Sequence, residues 1–220
     1  MSATEPRPLL AVIPCRGGSK RIPRKWAALV DGKPLLQHAI DIAQAASITR
    51  LVVSTEDHAV AAYARLRGVE VHHRPDWLAA DDVPLADVVA DLVNALGWEH
   101  DVMVLQPTCP LLKPDTVDWA VGEWRHSGAD WAITVAPDPH LFWQAGAPIT
   151  PRINSQKLMT DWHCLMSETG AVQLFSNRAS LGVTQTRYAI SIDPDEALDI
   201  DTHADLAAAR QALTVASPPS

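Results

Sequence analysis

The sequence predicts a three-layer αβα protein built on a mostly parallel sheet, with a protruding arm or lid. Three observations carry this. Apolar runs and helical patterns alternate along residues 9–136, the order produced when crossover helices join the strands of an α/β sheet. The chain has 220 residues, which suits one domain with a substantial core. The alternation stops between 137 and about 165 and then resumes. Residues 8–136 and 166–214 are therefore expected to form a single domain, with 137–165 inserted as an arm.

The elements follow in order. "LLAVIP" (9–14) reads as a first buried strand, and "PLLQHAIDIAQAA" (34–46) has helical periodicity with Pro34 at a first-turn position. "RLVVST" (50–55) is a second strand, followed by a helix over 57–68 with Asp57 as N-cap and Gly68 as its stop. "VEVHHR" (69–74) is a short third strand, and 84–97 a helix ending on glycine. "DVMVLQP" (101–107), a helix over 114–128 and "DWAITVA" (130–136) continue the pattern. In that helix Trp119 and Trp124 are expected to pack in the core. After the arm come strands at 171–176 and 187–191, then a last helix over 202–213 whose Thr202 and Asp205 have capping-box spacing. The arm holds three prolines after Pro137 and two of the eight tryptophans. Connections of that length inside a compact domain are as a rule functional or engaged with a partner.

Composition narrows the function. The chain carries a formal net charge of −8, so it lacks the broad basic surface that nucleic-acid binding uses, and no nucleic-acid partner is expected. No apolar run approaches the roughly 20 residues of a membrane helix. "MSATEPRP" has neither the basic nor the apolar region of a secretion signal, and Cys15, Cys109 and Cys164 are scattered without disulfide or zinc spacing. A cytoplasmic location is expected.

Against this acidic background, Arg16, Lys20, Arg21, Arg24 and Lys25 stand within ten positions behind the first strand. The segment "CRGGSKRIPRKW" begins at that strand's carboxyl end, where open α/β sheets bind ligands. Gly17 and Gly18 can adopt positive φ and let backbone N–H groups approach an anion, with Arg16, Lys20 and Lys25 supplying charge to a triphosphate. The alternative is a solvated connection. The second constellation is Asp199-Ile200-Asp201. Carboxylates at i and i+2 of an extended segment project the same way, about 7 Å apart, and suit a shared hard cation. The alternative is that Asp201 or Thr202 merely caps the last helix. His72 and His73 are strand neighbours facing opposite sides, which argues against a shared metal. Cys109 reads as a small packed residue and not as a nucleophile.

"IPCRGGSKRIPRK" closely resembles the N-terminal signature of the cytidylyltransferases that make CMP-sialic acid and related CMP-activated sugar acids. "RLVVSTED", "VEVHHRPDWLAADD", "LQPTCPLL" and "ALDIDTHADLAAA" resemble further segments of that family in the family's order, so the likeness spans most of residues 9–213. It implies a Rossmann-like nucleotidyltransferase fold. It also implies that Arg16, Lys20 and Lys25 hold the CTP phosphates, that Gly17, Gly18 and Ser19 shape the loop, that Asp81 and Gln106 lie on the nucleotide side, and that Asp199 and Asp201 hold a catalytic Mg²⁺. The expected catalytic set is Arg16, Lys20, Lys25 and Asp201. A homodimer follows from the same resemblance.

The sequence also departs from the family. Trp26 stands where the family has Asn, and an indole cannot supply an amide's donor and acceptor together. The family's "NGAIY" is "TGAVQ" here, with Thr169 and Gln173 at the altered positions. Trp26, Thr169 and Gln173, with the arm's basic residues Arg152 and Lys157, are the candidates for binding a small anionic acceptor. The expected reaction transfers CMP from CTP to a sialic-type sugar acid. The alternatives are a smaller anion, such as a phosphonate, and a CTP-binding protein without catalysis.

Overall fold

Leu9–Pro14 (β1) is apolar on both faces, and both faces are covered. Leu9, Ala11 and Ile13 face one core cluster, while Leu10 and Val12 face another. This strand lies inside a seven-stranded sheet of the computed structural model, which describes residues 7–138, 140, 142–149, 165–177 and 186–216. The other strands are β2 (Arg50–Thr55), β3 (Glu70–His73), β4 (Asp101–Leu105), β5 (Trp131–Asp138), β6 (Leu165–Phe175) and β7 (Arg187–Ser191). They are ordered β7-β5-β6-β4-β1-β2-β3, and β6 alone runs antiparallel to its neighbours.

The helices are α1 (Leu35–Ala45), α2 (His58–Leu66), α3 (Leu85–Leu96), α4 (Pro114–Ser127) and α5 (His203–Ala216). Residues of α1, α2 and α4 build the core on one face, and Val89, Leu92 and Val93 of α3 build it on the other. The helix ends follow the sequence closely. The Asp57 carboxylate accepts from the backbone of Ala59 and Val60 to cap α2, and Gly97 and Gly128 turn left-handed after α3 and α4. Thr202 and Asp205 form the reciprocal capping box: Asp205 accepts from the Thr202 amide at 2.7 Å, and the Asp205 amide donates to the Thr202 hydroxyl at 3.3 Å.

Two expectations need correction. Trp124 is fully buried and donates to the Ala129 carbonyl at 2.8 Å, but Trp119 is 47% exposed. Five residues advance about 140° beyond a full turn, so one face cannot hold both rings. The strand expected at 171–176 begins instead at Leu165, because β5 and β6 continue as one antiparallel ribbon into the inserted segment. Trp143–Gln144 and Ala147–Pro148 pair across a turn in which Ala145 and Gly146 both have positive φ. The rest of the arm, with Arg152 and Lys157, lies outside the described residues. Among the described residues, no helix is long and apolar enough to cross a membrane.

His72 is buried between Ser54, 3.2 Å from Nδ1, and Asp91, 3.3 Å from Nε2, while His73 is exposed. The grouping has the members of a hydrolytic triad, yet Ser54 is wholly buried, out of contact with solvent, as a nucleophile could not be. Burial lowers the His72 pKa and so favours the neutral ring, whose contact with Ser54 links β2 to β3. Cys15 and Cys109 are buried free thiols, each pushed up to about 12 chiefly by desolvation, which removes both as nucleophiles.

Candidate active site

The parallel strands β1, β2, β3 and β4 all end at one edge of the sheet, and a cleft of about 380 Å³ opens there. Its walls include Arg16, Ser19, Lys25, Trp26, Gln106, Asp199 and Asp201, so residues from distant parts of the chain meet in one place.

The loop after β1 is built by packing. Neither Gly17 nor Gly18 uses the positive φ open to glycine. Gly17 is glycine because a Cβ there would lie 2.0 Å from Asp57 Oδ2, whereas Gly18 faces open space. The Gly17 amide donates to Glu56 Oε1 at 2.8 Å, and the second oxygen of Glu56 accepts from Arg74 Nε and Nη2 at 3.0 and 2.8 Å. Arg74 is buried at the carboxyl end of β3 and also lines the cleft. Further along, Arg24 takes a left-handed conformation (φ 51°) that leads into the short helix Lys25–Ala27. That helix places Lys25 and Trp26 in the cleft wall.

Lys25 Nζ donates to the Ile200 carbonyl at 2.8 Å and pairs with Asp201 at 3.0 Å, and Arg21 pairs with the other Asp201 oxygen at 2.6 Å. The segment carrying the aspartates is pinned from three sides. Ile200 is buried among Ile22, Val30, Leu35 and Leu206, its amide donates to the Thr108 carbonyl at 2.9 Å, and Asp205 accepts from the Asp201 amide. With Ile200 turned into the core, Asp199 and Asp201 both face the cleft. Their environments differ. The hydrogen bond from Lys25 holds Asp201 below the usual carboxylate range. Asp199 is pushed up, first by the protein atoms that crowd water from its carboxyl and then by the like charge of Asp201, despite a hydrogen bond from Thr108.

Arg16 and Lys20 both pair with Asp81 across the cleft mouth, and this holds Asp81 at about 2. Trp26 leans on Tyr63 of α2 with ring centroids 5.7 Å apart, and the Tyr63 hydroxyl donates to Gln37 at 2.9 Å.

Two acceptor candidates do not reach the cleft. Thr169 is buried at an irregularity between β5 and β6, where its hydroxyl meets that of Thr134 at 2.7 Å and accepts from the Ala171 amide. Gln173 lies mid-sheet, paired with Val104 and Ile133. Of that segment it is Gly170, with φ 69°, that lines the cleft. Sequence reasoning noted Arg21 only as one of the loop's cations and missed Glu56 and Arg74. The available signal was an arginine followed by proline at a strand's carboxyl end inside the quoted "VEVHHRPDWLAADD".

A mostly parallel sheet whose basic first loop faces an acidic pair across a cleft defines an α/β protein of the nucleotidyltransferase class. Solved structures share this fold. CMP:2-keto-3-deoxy-manno-octonic acid synthetase, in complex with CTP, superposes with a TM-score of 0.70 at 16% identity over 96% of this chain and 100% of that one. The 4-diphosphocytidyl-2C-methyl-D-erythritol synthase of Anaerococcus prevotii gives 0.69 at 11% identity over 94% and 96%. The family model described as cytidylyltransferase matches residues 10–158, and the chain belongs to that family. Among curated relatives, CMP-N,N'-diacetyllegionaminic acid synthase of Legionella pneumophila is 35% identical over 139 residues, 59% of this chain and 58% of the relative. N-acylneuraminate cytidylyltransferase of Oncorhynchus mykiss is 28% identical over 223 residues, 94% of this chain and 50% of the relative. The chain spans about half the length of the curated relatives it matches.

Proposed function

We propose that the chain is a CTP-dependent cytidylyltransferase that forms a CMP-linked sugar acid. The observation that carries the reading is the cleft in which Arg16, Ser19 and Lys25 face Asp199 and Asp201 at the carboxyl edge of the sheet. An acceptor hydroxyl oxygen bonds to the α-phosphorus of CTP, the bond from that phosphorus to the bridging oxygen breaks, and pyrophosphate leaves with the electron pair. The acceptor's proton passes to water or to a cleft carboxylate. Such a reaction runs on positioning and charge stabilisation, for which the cationic loop is suited. Arg16, Lys20 and Lys25 neutralise the triphosphate and the leaving pyrophosphate, and Ser19, Gly17 and Gly18 shape the turn that presents them. Gln106 lines the same cleft at the end of β4, and in this reading it meets the nucleotide.

Asp199 and Asp201 fit a hard divalent cation. They are oxygen donors on one face, and Asp199 is a desolvated carboxyl with a like-charged neighbour, a combination that a cation relieves. A magnesium ion held by them supplies charge neutralisation at the transferred phosphate. Trp26 forms part of the acceptor's wall, offering an apolar face in place of an amide.

The test is a panel of acceptors with CTP and Mg²⁺, read by pyrophosphate release. N,N'-diacetyllegionaminic acid, N-acetylneuraminic acid and 2-keto-3-deoxy-manno-octonic acid represent the sugar acids, beside a simple phosphonate. Turnover of at least one sugar acid is expected; turnover of the phosphonate alone, or of nothing, would overturn the reading. The proposed working unit is a homodimer in the cytoplasm. The arm exposes Trp143 and Ile149, apolar area of the kind a second copy covers. Sedimentation at micromolar concentration should give twice the 23.9 kDa chain mass, and a monomer would remove the dimer.

A further inference from the structure

Every cation at the front of the loop is already engaged. Arg16 Nη1 meets one oxygen of Asp81, and Lys20 Nζ meets the other. The Gly17 amide between them is taken by Glu56. The loop therefore surrounds carboxylates at the groups a polyphosphate would need. The two kinds of partner differ in how firmly they are held. Glu56 is fixed by two hydrogen bonds from the buried Arg74, while Asp81 stands on the connection between the short helix Asp76–Ala79 and α3. The Asp81, Arg16 and Lys20 side chains are 46%, 41% and 85% exposed.

We propose that Asp81 is the internal counter-anion of the phosphate loop: it occupies Arg16 and Lys20 in the nucleotide-free cleft, and a polyphosphate binds by displacing it. The inference rests on the cytidylyltransferase reading and adds to it a residue that sets the affinity for the triphosphate. Three physical points support displacement. Exposed ion pairs are weak and exchange readily in water. One carboxylate carries a single negative charge, whereas a triphosphate brings several to the same two cations. Asp81 stays ionised throughout the neutral range, so it competes at every working pH and the exchange is not gated by protons. Once displaced, Asp81 lies beside a polyanion, and the like-charge repulsion opposes retention of the nucleotide and of the pyrophosphate product. On this basis Asp81 limits affinity, in contrast to a residue that contacts the nucleotide favourably.

The experiment compares wild-type protein with Asp81→Asn, and uses Asp82→Asn as a neighbouring control. Calorimetric titrations with CTP and with inorganic triphosphate are run on each, beside trypsin cleavage of the nucleotide-free proteins. Asp81→Asn should bind both ligands tighter, on the order of three- to tenfold given the modest strength of exposed pairs. Its loop should also be cut faster at residues 16–21. Asp82→Asn should match wild type in both assays. Unchanged or weaker binding by Asp81→Asn, or an unchanged cleavage rate, overturns the inference while leaving the enzyme reading in place. Failure of the wild-type protein to bind CTP is the separate result that removes the enzyme reading, and this inference with it.

Discussion

Asp199→Asn should lower CTP-dependent turnover by about 10²- to 10³-fold, the scale on which enzymes lose a principal stabiliser of transition-state charge. The fold should be unharmed. Folding raises the Asp199 pKa through desolvation and the nearby Asp201 charge, so its ionised form is less favourable in the fold than in the unfolded chain. That penalty is absent at low pH and grows as pH rises above the ordinary carboxylate value of 3.8. A neutral amide escapes it. With divalent cations chelated, Asp199→Asn should therefore melt at or above the wild-type temperature at pH 7. Asp201→Asn should lose turnover as well but with the opposite sign in stability. The Lys25 hydrogen bond lowers the folded pKa of Asp201, so its contribution is present above 3.8 and disappears as pH falls through the lowered value. This variant should melt below wild type at pH 7 and converge with it in acid. Pyrophosphate release and calorimetry read the two effects separately. Turnover of Asp199→Asn near the wild-type rate would remove the pair from the reaction centre.

The same segment explains how distant parts of the chain make one site. Ile200 anchors it in the core, the Thr202–Asp205 capping box fixes where α5 begins, and Lys25 grips it from the phosphate loop. Disturbance of the loop is therefore felt at the aspartates, and the reverse. Glu196 strengthens the arrangement from behind. It is buried and accepts from both the amide and the ammonium of Lys113, so the turn leading into Asp199 is tied to the start of α4.

Much of this was legible in the sequence because it is local. β1 and β2 have the limits that the runs at 9–14 and 50–55 imply, since a strand covered on both faces reads as a near-continuous apolar run; β7 also spans 187–191, although as an edge strand it is largely exposed. Asp57, Gly97 and Thr202 mark helix ends by capping chemistry that needs only neighbouring residues. What escaped depends on tertiary approach. Nothing in "TGAVQ" says that Thr169 turns inward to Thr134, because that contact spans 35 positions. Glu56 gives no local sign that its carboxylate is shared between the Gly17 amide and Arg74. Trp119 was misplaced because apolar character alone does not fix a side chain's angle on the helix. The reason for Gly17 is likewise tertiary: a pair of glycines suggests freedom of φ, whereas at Gly17 it is a matter of room beside Asp57.

That difference between the glycines makes the sharpest test of the loop. Gly17→Ala should be severely damaging and Gly18→Ala nearly silent, although the two are adjacent and chemically identical. A methyl at 17 would fall 2.0, 2.4 and 2.5 Å from Asp57 Oδ2, Cγ and Cβ, too deep into that side chain for a change of rotamer tip to relieve. Asp57 has little freedom to withdraw, because its Oδ1 accepts from Ala59 at 2.7 Å and Val60 at 2.9 Å to cap α2. Either the cap breaks, which costs about 1 kcal/mol, or the loop lifts away and carries Arg16 and Lys20 with it. The expected result is a destabilisation of roughly 1–3 kcal/mol together with at least about a tenfold loss of CTP affinity. At 18 the methyl meets nothing within 4 Å, and the change should stay within about 0.5 kcal/mol. The double variant Gly17→Ala/Asp57→Gly separates crowding from other causes. Glycine is itself tolerated at an N-cap, only a few tenths of a kcal/mol worse than the best residues, and it removes the atoms the methyl strikes. Recovery of CTP binding in the double variant assigns the damage to the Gly17–Asp57 contact, and a coupling near zero in the cycle would refute it.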